Sequence, residues 1–396
     1  MFIFGILTFL LFDQNINRYI DLLIEDPTNS AAIERITAAG VEAIPVIKQR
    51  IPELGVPVKR TLARILGTIG DTSAAPILLN LTRSDAPLLR AEAAHALGRI
   101  KDPRASPRLI ELLSDIHDNP RGEAAWALGE IGDTTAIPAL VSLTNDPVFT
   151  NRARALTALG KLNGLDQIID LDRFLTDPNP PVRISLALAI GVTKDTSYLS
   201  ILERLARDKE PVVRIQAYKV IGSLQSGPSK SLLVAGLSDP HEGVRMQIIE
   251  SLIAFADPKL IPYIVQMKND PSLAVRKRVN ELLKSLPPEL FKQGMIEVIA
   301  AADLPLDLRR GALVYLERNL DEEELITHLL NAFPSWTREE AVNVIRREIE
   351  PGMTKEQVRL AFGSPSTTKK DTTGIEIWYY EKSGLKLKFS GGRVVR

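Results

Sequence analysis

Seven arginines, Arg90, Arg121, Arg152, Arg183, Arg214, Arg245 and Arg276, follow one another at a strict interval of 31 residues. A period of that length holds two helices that cannot bury their faces alone, so a chain built on it folds by stacking one unit on the next. Two more ladders keep the same period. Six residues ahead of an arginine stand Asp115, Asp146, Asp177, Asp208, Asp239 and Asp270; eight residues behind one stand Gly98, Gly129, Gly160, Gly191 and Gly222. Between arginine and glycine the small and apolar residues fall at helical spacing, as in Ala93, Ala96, Leu97 and Ile100. Upstream of each such helix lies another apolar run, with Pro45, Pro76, Pro107 and Pro138 at one point of four of them. The unit reads helix, turn, helix, turn.

Lys59 and Gly67 continue the arginine and glycine columns one period earlier, and regular units run on to about Leu286. After Pro287 and Pro288 the period stretches to 33 residues, reaching Arg309, and the pattern degrades through Leu320 to Ile345. From Gln14 to Ile51 it is irregular, with helical runs at Ile16 to Ile24 and Ala31 to Ala39, as expected of a terminal unit. Each ladder aspartate stands where it can cap the second helix of its unit, and each arginine where it can bridge neighbouring turns. The glycines permit close approach of one helix to the next unit.

These residues resemble HEAT repeats, most closely the short bacterial kind found in phycobilisome-lyase-like proteins. The resemblance is carried by D-P-x-x-x-V-R at Asp177 to Arg183, Asp239 to Arg245 and Asp270 to Arg276, and by R-x-E-A-A-x-A-L-G at Arg90 to Gly98 and Arg121 to Gly129. It covers about residues 40 to 320 and implies a mostly α fold, an α-α superhelix, with the second helices on its concave side.

Counted from each arginine, positions three, six and seven are apolar nearly throughout, so they are expected to be buried. Positions two, five and nine are mixed and lie on one helical face. They give Glu92, His95 and Arg99, then Glu123, Trp126 and Glu130, then Arg154, Thr157 and Lys161, with Lys219 further on. A tryptophan among charges is a common anchor for a protein partner; Trp126 can equally cover its own groove or pack on arginine side chains. The expected partner-binding residues are Glu92, His95, Arg99, Glu123, Trp126, Glu130, Arg154, Lys161 and Lys219.

Lys plus Arg equals Asp plus Glu at 49 each, so no basic excess draws a phosphate backbone, and nucleic acid is not expected as a partner. The absence of cysteine excludes disulfides, thiolate nucleophiles and zinc–thiolate sites. The four histidines, His95, His117, His241 and His328, never take the i, i+4 spacing of a helical metal site. Deoxyhypusine hydroxylase, an enzyme on a HEAT-like scaffold, needs His-Glu pairs on successive helices. Here the one pair, His241-Glu242, sits in a turn, and the helical positions read Ala91-Glu92 and Gly122-Glu123. No Gly-x-Ser-x-Gly elbow or phosphate loop occurs. Neither catalysis nor a metal or other cofactor is expected.

Met1 to Phe12, MFIFGILTFLLF, is an uncharged apolar run. Twelve residues are short of the roughly 20 a spanning helix needs. The segment reads as a membrane anchor, as an apolar cap on the first repeat, or as a partly matched secretory core. The flank holds Asp13, Asp21, Glu25 and Asp26 against Arg18, so an inserted anchor would leave the repeats on the envelope side; a cytoplasmic protein is the alternative.

Past Glu350 the pattern changes. Pro351-Gly352 makes a turn, Thr354 and Gln357 form a capping box, Val358, Ala361 and Phe362 face inward, and Gly363 stops the helix. Three strands follow, at Ile375 to Glu381, Gly384 to Ser390 and Arg393 to Arg396. The P-G-M-T-x-x-Q-V opening and the Trp378-Tyr379-Tyr380 strand resemble the SmpA/OmlA family of small envelope proteins, many of them lipoproteins that support outer-membrane protein assembly. This chain departs by lacking a lipobox cysteine. The expected organisation is an apolar segment at 1–13, a HEAT solenoid at 14–345 and a small α+β module at 349–396. The expected function is a non-enzymatic scaffold that binds protein partners, with an accessory protein acting on a protein-bound chromophore, phycobilin-lyase-like or chaperone-like, as the alternative.

Overall fold

The computed structural model describes residues 15–381 and 383–395, in two compact units that meet between Leu224 and Gln225. The expectations for Met1 to Phe12, and for Lys382 and Arg396, lie outside the described residues.

In the first unit each regular repeat begins with a one-turn 3₁₀ segment opened by an aspartate. Asp71, Asp102, Asp133 and Asp195 each accept the backbone N–H two residues on. A seven-residue helix follows, Ala75–Leu81, Ser106–Leu112, Ile137–Leu143 or Leu199–Leu205, and Pro76, Pro107 and Pro138 occupy its first turn. Proline is tolerated there because the N–H it lacks has no helical partner anyway. The second helices are about twice as long: Val56–Ile69, Pro87–Ile100, Asp118–Ile131, Phe149–Lys161, Pro180–Thr193 and Pro211–Ser223. Ala93, Ala96, Leu97, Ala124, Ala127, Leu128, Ala155, Ala158 and Leu159 are buried, as the columns predict.

Regularity fails once before Leu224. Where a first helix is due after Gly164, two 3₁₀ segments stand instead, Leu165–Gln167 and Asp172–Thr176. The proline column reads Ile169 here, and Asp170 accepts the N–H of Arg173, a local turn that competes with helix. The expectation of unbroken regular units to Leu286 is therefore corrected.

The Arg and Asp ladders tie repeats together. Arg183 makes a two-pronged contact with Asp208, 25 residues on, through Nε to Oδ2 at 2.6 Å and Nη2 to Oδ1 at 2.9 Å, and its Nη1 donates to the Asp177 carbonyl at 2.6 Å. Arg90–Asp115, Arg121–Asp146 and Arg152–Asp177 repeat the contact in the first unit, and Arg245–Asp270 does so in the second. Each aspartate also accepts the N–H two residues ahead, at His117, Val148, Asn179, Glu210 and Ser272. The aspartate thus closes the turn before the helix rather than serving as its N-cap, and the arginine reaches the next repeat rather than the next turn. Burial pushes the carboxyls of Asp115, Asp146 and Asp270 up, but the guanidinium each one holds outweighs it and keeps them below the ordinary carboxylate value.

A fourth column escapes the sequence pattern because its residue type varies. Gly70, Lys101, Gly132, Asn163, Lys194, Gln225 and Ala256, again 31 apart, all have positive φ. They follow the second helices, where a left-handed residue lets the backbone release the helix, a conformation that suits glycine and costs other residues roughly 1 kcal/mol or more. Lys194→Gly, at φ 55°, is expected to stabilise the protein by about 0.5 to 1 kcal/mol in urea unfolding. An unchanged or lower midpoint would mean that the lysine side chain makes up the strain.

In the second unit the helix Lys355–Phe362 carries the capping box at Thr354 and Gln357. It packs with an antiparallel sheet ordered β1 (Thr367–Lys370), β2 (Glu376–Tyr380), β3 (Leu385–Ser390), β4 (Arg393–Val395). Trp378, Leu387, Phe389 and Val394 are buried, and Lys386 and Lys388 are exposed, so β3 alternates between core and solvent. β1 is an addition to the three strands expected. Its sequence, Thr-Thr-Lys-Lys, is exposed at all four positions and offers no apolar period to find; charged residues of this kind suit an edge strand, where lysine discourages pairing with other chains.

Candidate protein-binding face

The second helices of the first unit approach one another unusually closely. A Cβ on Gly67, Gly98, Gly129 or Gly160 would lie 2.6 to 2.9 Å from the Cα of Ala96, Ala127, Ala158 or Ala189 in the following repeat. Helices held this tightly present their outward positions as one continuous row.

At the centre of that row four predicted residues from three repeats come together. The His95 and Trp126 rings stack at 4.2 Å and 9°. His95 Nδ1 donates to Glu123 Oε2 at 2.9 Å, and Arg154 Nη2 lies 2.8 Å from Glu123 Oε1. Burial pushes the Glu123 carboxyl up, but the His95 hydrogen bond and the Arg154 charge outweigh it and hold it below the ordinary value. Trp126 is half-buried, with its ring over Gly98, where a Cβ would meet Cζ3 at 2.8 Å. Its site is therefore fixed by glycine in the repeat before and by histidine beside it.

Glu130 forms a second focus, bound by Lys161 and by Lys101 at 3.0 Å; the Lys161 hydrogen bond chiefly draws its carboxyl below the ordinary value. Glu92 pairs with Arg64 at 3.3 Å, and Arg99 donates to Thr68 at 3.2 Å. Lys219 is exposed and is not drawn into the cluster.

Two hollows flank the stack. One, of about 270 Å³, is lined by Arg60, Leu88, Ala91 and Asn119 together with Glu92, His95 and Glu123. The other, of about 190 Å³, lies between Trp126, Arg154, Thr157, Lys161 and Ser185. Arg60, Leu88 and Asn119 are additions to the sequence reading. Leu88 and Asn119 stand two before the column arginine and Arg60 one after Lys59 of the same column, which continues the helical face of positions two, five and nine by one turn.

Among the described residues no group of three or more His, Asp or Glu is placed to hold a metal ion, and no helix is long and apolar enough to cross a membrane. A model of HEAT repeats matches residues 55–121, 106–191, 171–252 and 198–284. A model of the outer membrane protein assembly factor BamE domain matches residues 345–383. Curated protein sequences give no match. Among solved structures, the chain is similar to the complex of CpcE and CpcF of phycocyanin lyase from Nostoc sp. PCC7120, at 19% identity over 66% of this chain and 94% of that one, with a TM-score of 0.36. It is also similar to human deoxyhypusine hydroxylase, at 20% identity over 72% and 98%, with a TM-score of 0.28. An engineered protein is similar at 18% identity over 84% and 95%, with a TM-score of 0.45. The repeat match spans well over half of the sequence, and with the stacked helix pairs and their Arg–Asp ladder it places this chain in the HEAT-repeat family, as a repeat scaffold that also carries a BamE-like domain.

Proposed function

We propose that the protein is a non-enzymatic adaptor that holds a protein partner on the second-helix row of its repeats, centred on Trp126. Residues 14–345 would form the binding scaffold and residues 349–396 a second contact module, in an envelope setting suggested by the BamE-like domain. The observation that carries this reading is the His95–Trp126–Glu123–Arg154 cluster. An aromatic ring and an arginine, the residue types richest in binding energy at interfaces, stand half-open between two hollows and are held in place from three successive repeats. Glu92, Arg99, Glu130, Lys161 and Lys219 would supply the polar rim, where charges set specificity and encounter rate more than affinity.

The test uses the native gene with its upstream codons, tagged at the C-terminus and recovered from separated envelope and soluble fractions. Trp126→Ala with Arg154→Ala is expected to weaken a co-purified partner by about 2 kcal/mol or more. Helical content should hold and the melting temperature should change little, since the tryptophan ring rests on a glycine and a histidine rather than in the core. A partner retained in full by the double variant would refute the binding row. A large loss of stability would make Trp126 a core residue instead, and a wholly soluble, protease-protected protein would remove the envelope setting while leaving the adaptor reading in place.

A further inference from the structure

In the second unit the change of period leaves a hollow. Ser285 ends one helix, Leu273–Ser285, and Pro288 begins the next, Pro288–Ala300, with only Leu286 and Pro287 between; the helix Leu306–Leu316 lies alongside. Two consecutive prolines bar a continuous helix and fix this short connection. The cavity beside it measures about 340 Å³, at the lower end of the range of ligand pockets.

Its walls are apolar on one side, with Leu283, Leu286, Pro288 and Phe291, whose ring meets Tyr315 edge-on at 4.9 Å. The polar lining is of one charge. Lys268 and Lys284 contribute ammonium groups and Asn280 an amide, and no carboxylate lines the cavity. Lys268 comes from the 3₁₀ segment Met267–Asn269, is half-buried, and makes no hydrogen bond or ion pair with the described residues. Burial alone lowers its affinity for its proton. An ammonium taken partly out of water with no partner costs stability, and the surrounding side chains offer nothing to offset it. The hollow beside His95, by contrast, is lined by the carboxylates of Glu92 and Glu123.

We propose that this cavity binds a small amphipathic carboxylate, its apolar body against Leu283 and Phe291 and its carboxylate shared by Lys268 and Lys284. The charge of the two lysines selects an anion, and the aliphatic and aromatic wall selects one with a hydrocarbon body. The site is separate from the second-helix row of the first unit, so its test does not depend on the adaptor reading.

Calorimetric titration of the full chain with decanoate, with decanol and with decyltrimethylammonium decides the matter. Decanoate is expected to bind saturably, with decanol weaker and the cation without binding. Lys268→Met should weaken decanoate by about tenfold or more, the usual worth of one charge-assisted contact, while its melting temperature is no lower than that of the wild type. Should that variant fail to fold, Lys284→Gln at the exposed rim carries the same expectation of weakened decanoate. No saturable binding of decanoate, equal binding of decanol, or full affinity in the folded lysine variants would each overturn the proposal.

Discussion

Arg183→Ala is expected to destabilise the first unit by about 3 to 5 kcal/mol, the range for breaking a buried pair and leaving one charge behind. The side chains of Arg183 and Asp208 are only 3% and 6% exposed. Removing the guanidinium would strip Asp208 of both its charge-assisted bonds and leave it the N–H of Glu210, while the Asp177 carbonyl loses its donor. Units in a repeat protein are coupled chiefly through their interfaces, so the loss falls on the contact between two neighbouring repeats and not on one helix. The exposed pair Arg204–Asp172, at 51% and 58%, is the control: Arg204→Ala should cost no more than about 1 kcal/mol. Urea unfolding of Arg183→Ala, Asp208→Ala and the double variant measures the coupling. Additive single effects, or an Arg183 variant as stable as the parent but unable to bind a partner, would remove the ladder from the structural account.

How much of this was legible depended on whether one residue type alone can meet the physical demand at a position. A two-pronged contact to a carboxylate needs arginine, and a helix crossing at these distances needs glycine, so those columns stand out in the letters. The partner of each arginine does not, since nothing in the sequence says that Arg183 reaches Asp208 across a repeat rather than Asp177 within one; in fact it uses the carboxylate of the first and the carbonyl of the second. The left-handed column at Lys101, Asn163 and Lys194 is silent because several residues tolerate that backbone at modest cost. β1 is silent because an exposed edge has no apolar period. At the candidate face, the columns found His95, Glu123, Trp126 and Arg154 but not that they touch, which depends on the close spacing of neighbouring second helices. Lys268 could not be found at all from its letter, because its interest lies in what surrounds it.

Gly160→Ala is expected to destabilise the protein by about 1 to 3 kcal/mol, against the ordinary preference of a helix for alanine. The glycine lies within Phe149–Lys161, where replacement by alanine alone would gain roughly 0.5 to 1 kcal/mol. The added methyl, however, would stand 2.6 Å from the Cα, 2.8 Å from the Cβ and 2.8 Å from the carbonyl oxygen of Ala189. Those atoms belong to the backbone and first side-chain atom of a buried helix, so no flexible side chain can swing aside and the two helices must move apart. Gly311, inside the helix Leu306–Leu316, has nothing within 4 Å of its Cβ position, so Gly311→Ala should stabilise by about 0.5 to 1 kcal/mol. One substitution at two helical glycines therefore has opposite signs, read from paired urea or thermal unfolding curves. If both variants gain stability, the glycine column is not what sets the spacing of the second helices. If Gly160→Ala loses stability as expected, the same spacing that brings Ala189 against Gly160 also fixes how far apart the side chains of the Trp126 row stand, and any partner seated there reads a distance set by a missing methyl group.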